Sequence, residues 1–224
     1  MIENSTNSAA NPTSDASYVF NVLILDESGS MGSIASAAKE VFEGYLHRLI
    51  QEQQDIPDLT QYINMWTFGK PYVNENIPLV KIRSWDKVFP EYSPSGNTPM
   101  FDAIGMSINK LKESLRILDL QKEQYQVKVF IVSDGEENAS REYKASQIGA
   151  LIRGLIAEGW AFDYYGTDHD ITSMADTLNI ESNRRVMFQK TKAGMESARD
   201  QYMAEIMKEK MSFMESRRSD SSKK

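Results

Sequence analysis

Residues 19–32 read Val19-Phe20-Asn21-Val22-Leu23-Ile24-Leu25-Asp26-Glu27-Ser28-Gly29-Ser30-Met31-Gly32. The apolar run Val22-Leu23-Ile24-Leu25 does not alternate. That is the pattern of a strand covered on both faces, as parallel sheets require. The run stops at a carboxylate followed by two hydroxyls and two glycines. Asp26, Ser28 and Ser30 fall at i, i+2 and i+4 in a turn loosened by Gly29. Hard oxygen donors just past the carboxyl end of a strand suit a hard cation such as Mg2+ or Mn2+. The same residue types also make an ordinary helix cap and turn, so the rest of the chain must decide.

Outward from this stretch, residues 30–53 carry apolar positions at three- and four-residue spacing and predict a helix. Residues 61–68 predict a second strand. Gly69, Lys70 and Pro71 predict a turn, and residues 76–82 the returning strand of a hairpin, with Pro78 suited to a sheet edge. Residues 84–101 form a long loop holding Pro90, Pro94, Gly96 and Pro99; loops of this length inside a compact domain are more often functional than idle. A helix is expected over 102–122. Val127–Val132 is a second fully apolar run, and it too ends at a carboxylate and a glycine, in Ser133-Asp134-Gly135-Glu136-Glu137-Asn138. Further elements are a helix over 143–158, stopped by Gly159, a strand over 160–165, a short helix through Met174 and Leu178, a strand over 185–188, and a closing helix over 191–214 with a methionine-rich stripe read as core.

Alternating strands and helices predict an α/β domain with a doubly wound, mostly parallel six-stranded sheet. The expected order is 3-2-1-4-5-6 with an antiparallel edge at strand three. In such sheets ligands bind beyond the carboxyl ends of the strands, where the order reverses. That point lies between strands one and four, which end in Asp26-x-Ser28-x-Ser30 and in Asp134.

These residues resemble a known family. Asp26-Glu27-Ser28-Gly29-Ser30 is similar to the Asp-x-Ser-x-Ser signature of von Willebrand factor A domains. Thr98, within Gly96-Asn97-Thr98-Pro99-Met100, and Asp134 stand where that family places its remaining site residues. The resemblance spans about residues 18–190. It implies a metal-ion-dependent adhesion site made of Asp26, Ser28, Ser30, Thr98 and Asp134. Ser28, Ser30 and Thr98 would supply neutral oxygens, and Asp26 and Asp134 would act mostly through water or by orienting the hydroxyls. The cation would be Mg2+ or Mn2+, with one position open to a partner's Asp or Glu carboxylate. The implied function is a non-enzymatic protein-binding module of the cytoplasmic bacterial or phage type, an adaptor or subunit in a larger assembly, often beside an AAA+ ATPase.

Composition is compatible with this. A formal charge of −7 argues against a general nucleic-acid binder. The chain has no cysteine, which excludes disulfides, zinc-thiolate sites and a thiol nucleophile. No apolar stretch reaches the ~18–20 residues of a membrane span. Residues 1–17 lack a basic start and an apolar core and predict a disordered lead-in rather than a secretory leader. One domain is expected over 18–214, with a polar tail over 215–224, and a cytoplasmic location.

Other residues carry milder expectations. Glu27, Glu136 and Glu137 are read as rim charges or helix-start acids. Asn138 is expected to cap the following helix. Asp168-His169-Asp170 suggests an N-cap at Asp170 on the rim of the site, and His47 a surface residue. Two other functions stay open. A metal-dependent phosphohydrolase lacks a phosphate-binding Gly-x-x-x-x-Gly-Lys loop and a Gly-x-Ser-x-Gly elbow here. A structural component, for example of a phage particle, would leave the site vestigial.

Overall fold

The computed structural model describes residues 17–189 apart from 57, 87, 135, 136 and 168–170, together with 191, 193, 194, 196, 197, 200, 204, 208, 211, 212 and 215. The elements are β1 (Ser17–Asp26), α1 (Ala35–Asp55), β2 (Leu59–Phe68), β3 (Val73–Lys81), α2 (Met100–Leu118), β4 (Tyr125–Val132), α3 (Ala145–Ala157), β5 (Ala161–Thr167), α4 (Ile171–Thr177) and β6 (Arg185–Phe188). They form a six-stranded sheet of order β3-β2-β1-β4-β5-β6. All neighbours pair in parallel except β2 and β3. This is the doubly wound arrangement expected from the sequence.

The apolar run of β1 is covered on both faces because its side chains alternate between two cores. Phe20, Val22 and Ile24 pack with Met100, Ile104 and Ile108 of α2 and with Ile148 and Ile152 of α3. Leu23 and Leu25 pack with Phe42, Tyr45 and Leu49 of α1. Fully burying one such side chain stabilises the fold by about 1.5–3 kcal/mol. Asn21 interrupts the apolar run on the α1 side. Its amide donates to the Tyr62 carbonyl at 3.0 Å and accepts from the Tyr45 hydroxyl at 3.4 Å.

The pairing registers set the height of the strand ends. Asp26 lies level with Phe68, and Leu25 with Val132, so Asp26 and Asp134 end neighbouring strands at nearly the same level. On the outer edge, Met65 pairs with Ile77 but Ile63 with Val80, which puts an extra residue into β3 at Pro78–Leu79. A proline without an N–H is at home at such a bulge.

Several boundaries differ from expectation. Residues Gly29–Ile34 form a 3-10 helix, and α1 starts only at Ala35. The Gly29 N–H is committed to the Gly96 carbonyl at 3.1 Å and the Met31 N–H to the Ser28 carbonyl, a tighter i to i+3 bond. The edge strand starts at Val73, not 76. Helix α2 starts at Met100 and stops at Leu118, because Asp119 takes a left-handed conformation, φ 50°. The Asp168-His169-Asp170 rim and residues 1–16 lie outside the described residues, as does most of the expected closing helix. His47 is exposed as expected. Among the described residues no helix is long and apolar enough to cross a membrane.

Candidate functional site

The turn after β1 is built on a buried carboxylate. Asp26 is 0% exposed. One carboxylate oxygen accepts the Ser28 N–H at 2.7 Å, which folds the turn back on itself, and the other accepts the Ser133 hydroxyl at 2.5 Å. Ser133 is the first residue beyond β4, so this bond ties together the ends of the two strands where the order reverses. Ser28 Oγ then lies 3.0 Å from Ser30 Oγ, and Ser30 Oγ donates to Asp134 Oδ1 at 2.7 Å. Asp26, Ser28, Ser30 and Asp134 thus form one hydrogen-bonded chain, joined through the backbone N–H of Ser28 at Asp26 and through side-chain oxygens from Ser28 to Asp134. Asp26 and Ser28 are buried; Ser30 is exposed and Asp134 half-buried, so the chain opens to solvent at that end.

The electrostatics favour a cation. Burial pushes the Asp26 carboxyl up to about 6, against the hydrogen bonds from Ser133 and Ser28, and the nearby Asp134 charge adds to the effect. The Tyr92 hydroxyl donates to the Asp26 carbonyl at 2.6 Å. Its own burial, and then the charges of Asp26, Glu27 and Asp134, raise its pKa, so it stays a donor.

The long loop before α2 is laid across this turn by close backbone contacts. Glu27 donates its N–H to the Phe68 carbonyl at 2.7 Å and accepts the Ser95 N–H at 2.8 Å. Its carboxylate accepts the Ser93 N–H at 2.7 Å, and the residue is 8% exposed. Glu27 is therefore a buried tie between loops, not a rim charge. Gly69 makes this approach possible: a Cβ there would lie 2.4 Å from the Glu27 carbonyl oxygen and 2.9 Å from that of Ser95. Both are backbone atoms that cannot swing aside. Gly69→Ala is expected to destabilise the fold by about 2–4 kcal/mol, read from urea denaturation midpoints; an unchanged midpoint would contradict this packing.

Thr98 comes from the third side, two residues after Gly96, whose carbonyl holds Gly29. It is 3% exposed. Its N–H donates to Asn138 Oδ1 at 2.9 Å and its carbonyl accepts the Asn138 N–H at 3.2 Å. Asn138 therefore does not cap the helix that follows it. It grips Thr98, and the start of α3 is served by Gln147, which accepts the Lys144 N–H at 2.8 Å. Glu137 is a helix-start acid, but for α2: it accepts the Phe101 N–H at 2.9 Å. Gly135 and Glu136 lie outside the described residues.

Every donor at this site is a hard oxygen, which fits Mg2+ or Mn2+ and not a thiophilic ion. Among the described residues no three Asp, Glu or His side chains gather to hold a metal. A cation at this turn would therefore depend on the hydroxyls. Ser133, Tyr92 and Ser93 were not singled out from the sequence. A hydroxyl directly before Asp134 was a usable signal for Ser133; nothing local marks Tyr92 or Ser93.

No family model and no curated protein matches the sequence. Solved structures do match. The vWF domain of the type V pili tip protein Mfa5 from Porphyromonas gingivalis has a TM-score of 0.60 at 11% identity, over 85% of this chain and 95% of that one. The SpRpn10 VWA domain has a TM-score of 0.53 at 15% identity, over 81% and 94%. Proximal thread matrix protein 1 from the mussel byssus, with a zinc-occupied metal-ion-dependent adhesion site motif, has a TM-score of 0.53 at 15% identity, over 84% and 46%. The chain thus spans about half the length of the byssus protein. The chain has the von Willebrand factor A-type fold.

Proposed function

We propose that this chain is a non-enzymatic, divalent-cation-dependent protein-binding module. The observation that carries the reading is the hydrogen-bonded chain Asp26–Ser28–Ser30–Asp134, which opens to solvent at the point where the strand order reverses. Ser28, Ser30 and Thr98 would hold Mg2+ or Mn2+ through hydroxyl oxygens. Both Asp26 oxygens already accept hydrogen bonds, from the Ser28 N–H and the Ser133 hydroxyl, which suits Asp26 to orienting the turn. Asp134, half-buried beside Ser30, would balance charge and fix the Ser30 hydroxyl. Bound there, the cation supplies an electrophilic position for a carboxylate oxygen from an acidic segment of a partner protein. The mussel byssus protein of similar fold has zinc in its adhesion-site motif, which supports reading the site as one for a divalent cation. An adaptor or subunit role beside an AAA+ ATPase, in the cytoplasm, completes the proposal.

A raised carboxyl pKa is also the mark of a general base. Asp26 does not fit that role: it is 0% exposed and touches no space a substrate could enter.

Calorimetric titration with Mn2+ tests the reading. Wild type is expected to bind, and Asp134→Ala to bind roughly 100-fold more weakly. A pull-down is expected to capture a partner that EDTA and Asp134→Ala both release. Absence of Mn2+ and Mg2+ binding by the wild-type chain would overturn the proposal.

A further inference from the structure

Two of the loops at the site are fastened to each other along their length. The segment 98–102 enters α2, and the segment 137–143 follows β4. Thr98 and Asn138 exchange two hydrogen bonds, at 2.9 and 3.2 Å. The Phe101 N–H goes to Glu137 at 2.9 Å and the Asp102 N–H to Ser140 Oγ at 3.1 Å, so the open N–H groups of α2 are capped by the other loop. The return bonds run to Asp102. Its carboxylate, 0% exposed, accepts the N–H groups of Arg141 at 2.7 Å, Glu142 at 3.0 Å and Tyr143 at 2.8 Å. The Tyr72 hydroxyl closes on the same carboxylate and lies 3.1 Å from the Ala139 carbonyl. The Arg141 guanidinium covers the Tyr72 ring at 5.0 Å. Tyr143 lies on α2 where Gly105 leaves room: a Cβ there would be 2.6 Å from its ring.

An acid in the first turn of a helix ordinarily serves its own helix. Asp102 instead organises a loop 39–41 residues away. The first segment begins at Thr98 and the second lies just after Asp134, so the fastening joins the segments next to two residues of the proposed metal site. Glu137 holds the second segment compact by accepting the Ala139 and Ser140 N–H groups at 2.8 and 2.7 Å.

We infer that Asp102, with Tyr72, is a positioning residue for the cation: it locks the Thr98 loop to the Asp134 loop, so that both present their oxygens as one preassembled unit. The inference rests on the metal-binding reading above. A cation held mostly by neutral hydroxyls is sensitive to how well those hydroxyls are held in place, and supporting groups of this kind commonly change metal affinity 10–100-fold. Asp102→Asn keeps the shape but sets an amide donor among N–H donors. Tyr72→Phe removes one hydroxyl and little else.

The test is Mn2+ titration of the full chain by calorimetry, with Leu111→Ala as a control that destabilises the same helix from a buried position outside the fastening. Asp102→Asn is expected to weaken Mn2+ binding roughly 10-fold, Tyr72→Phe to weaken it in the same direction, and Leu111→Ala to leave the Kd at the wild-type value. If Asp102→Asn does not fold, Tyr72→Phe carries the test. Wild-type affinity in both fastening variants, or equal weakening in the control, would overturn this inference and leave the metal site standing. No Mn2+ binding by wild type would overturn the metal site and this inference together.

Discussion

Metal-free protein carrying Asp26→Asn is expected to be more stable than wild type at pH 7.5, by about 2–3 kcal/mol, and to gain nothing from Mg2+. The sign follows from the direction of the Asp26 shift. Burial raises its carboxyl from 3.8 to about 6, so the folded chain holds that proton more tightly than the unfolded one. Stability from this group is present below pH 3.8 and is lost as pH rises through about 6. The difference between the two values corresponds to about 3 kcal/mol. Asparagine avoids this cost and still offers an oxygen to the Ser28 N–H, while the Ser133 hydroxyl can turn to accept from its amide. The two proteins are therefore expected to converge near pH 4 in EDTA and to diverge toward neutrality. In wild type, a divalent cation bound at the proposed site would compensate the buried charge and is expected to raise the unfolding midpoint at pH 7.5. Chemical denaturation at both pH values, with EDTA and with Mg2+, reads all four arms. A less stable variant at pH 7.5 in EDTA would mean that the Asp26 charge is compensated by the protein alone.

Asp102→Ala is expected to cost about 3 kcal/mol or more of stability, since it strips the acceptor from three loop N–H groups and a tyrosine hydroxyl in a buried place. Burial by itself would raise this carboxyl; the N–H donors of Arg141 and Tyr143 and the Tyr72 hydroxyl outweigh it and hold the group below the usual carboxylate range. The folded pKa is depressed, so the contribution is full above the ordinary value and is lost as pH falls through the lowered one. The gap between wild type and Asp102→Ala should therefore be wide at neutral pH and shrink in acid. Tyr72 answers in kind: burial, and then its bond to Asp102, push its hydroxyl up to about 12. Urea midpoints at pH 7 and pH 3 measure the gap; a gap that does not change with pH would assign the loss to packing and not to the carboxylate.

The sheet was legible because its signals are local. Unbroken apolar runs at Val22–Leu25 and Val127–Val132 mark strands buried on both faces, and each ends in a carboxylate. Strand order was the expectation for a doubly wound sheet of alternating strands and helices. The helix starts were less legible, since the Gly29 N–H is spent on Gly96, a residue that periodicity cannot connect to it. The same limit applies around the site. Glu27 looked like a surface acid and is a buried tie to Ser93. Asn138 looked like a cap for the next helix and holds Thr98 instead. Asp102 stands at the first position of the helix expected over 102–122, and its partners lie in a different loop. In each case the side chain's type was informative, but its partner is set by the tertiary approach of loops separated by many residues.

The amide of Asn21, set in the middle of an apolar strand, acts as an index mark. It meets the Tyr62 carbonyl and the Tyr45 hydroxyl at one alignment of β1 against β2. A slip of one residue would turn it to the opposite face. A slip of two would return it to the correct face but away from both partners. Only the observed alignment sets Asp26 level with Phe68. The vertical placement of the polar turn, at the far end of the strand, is thus gauged five residues earlier by a single buried side chain.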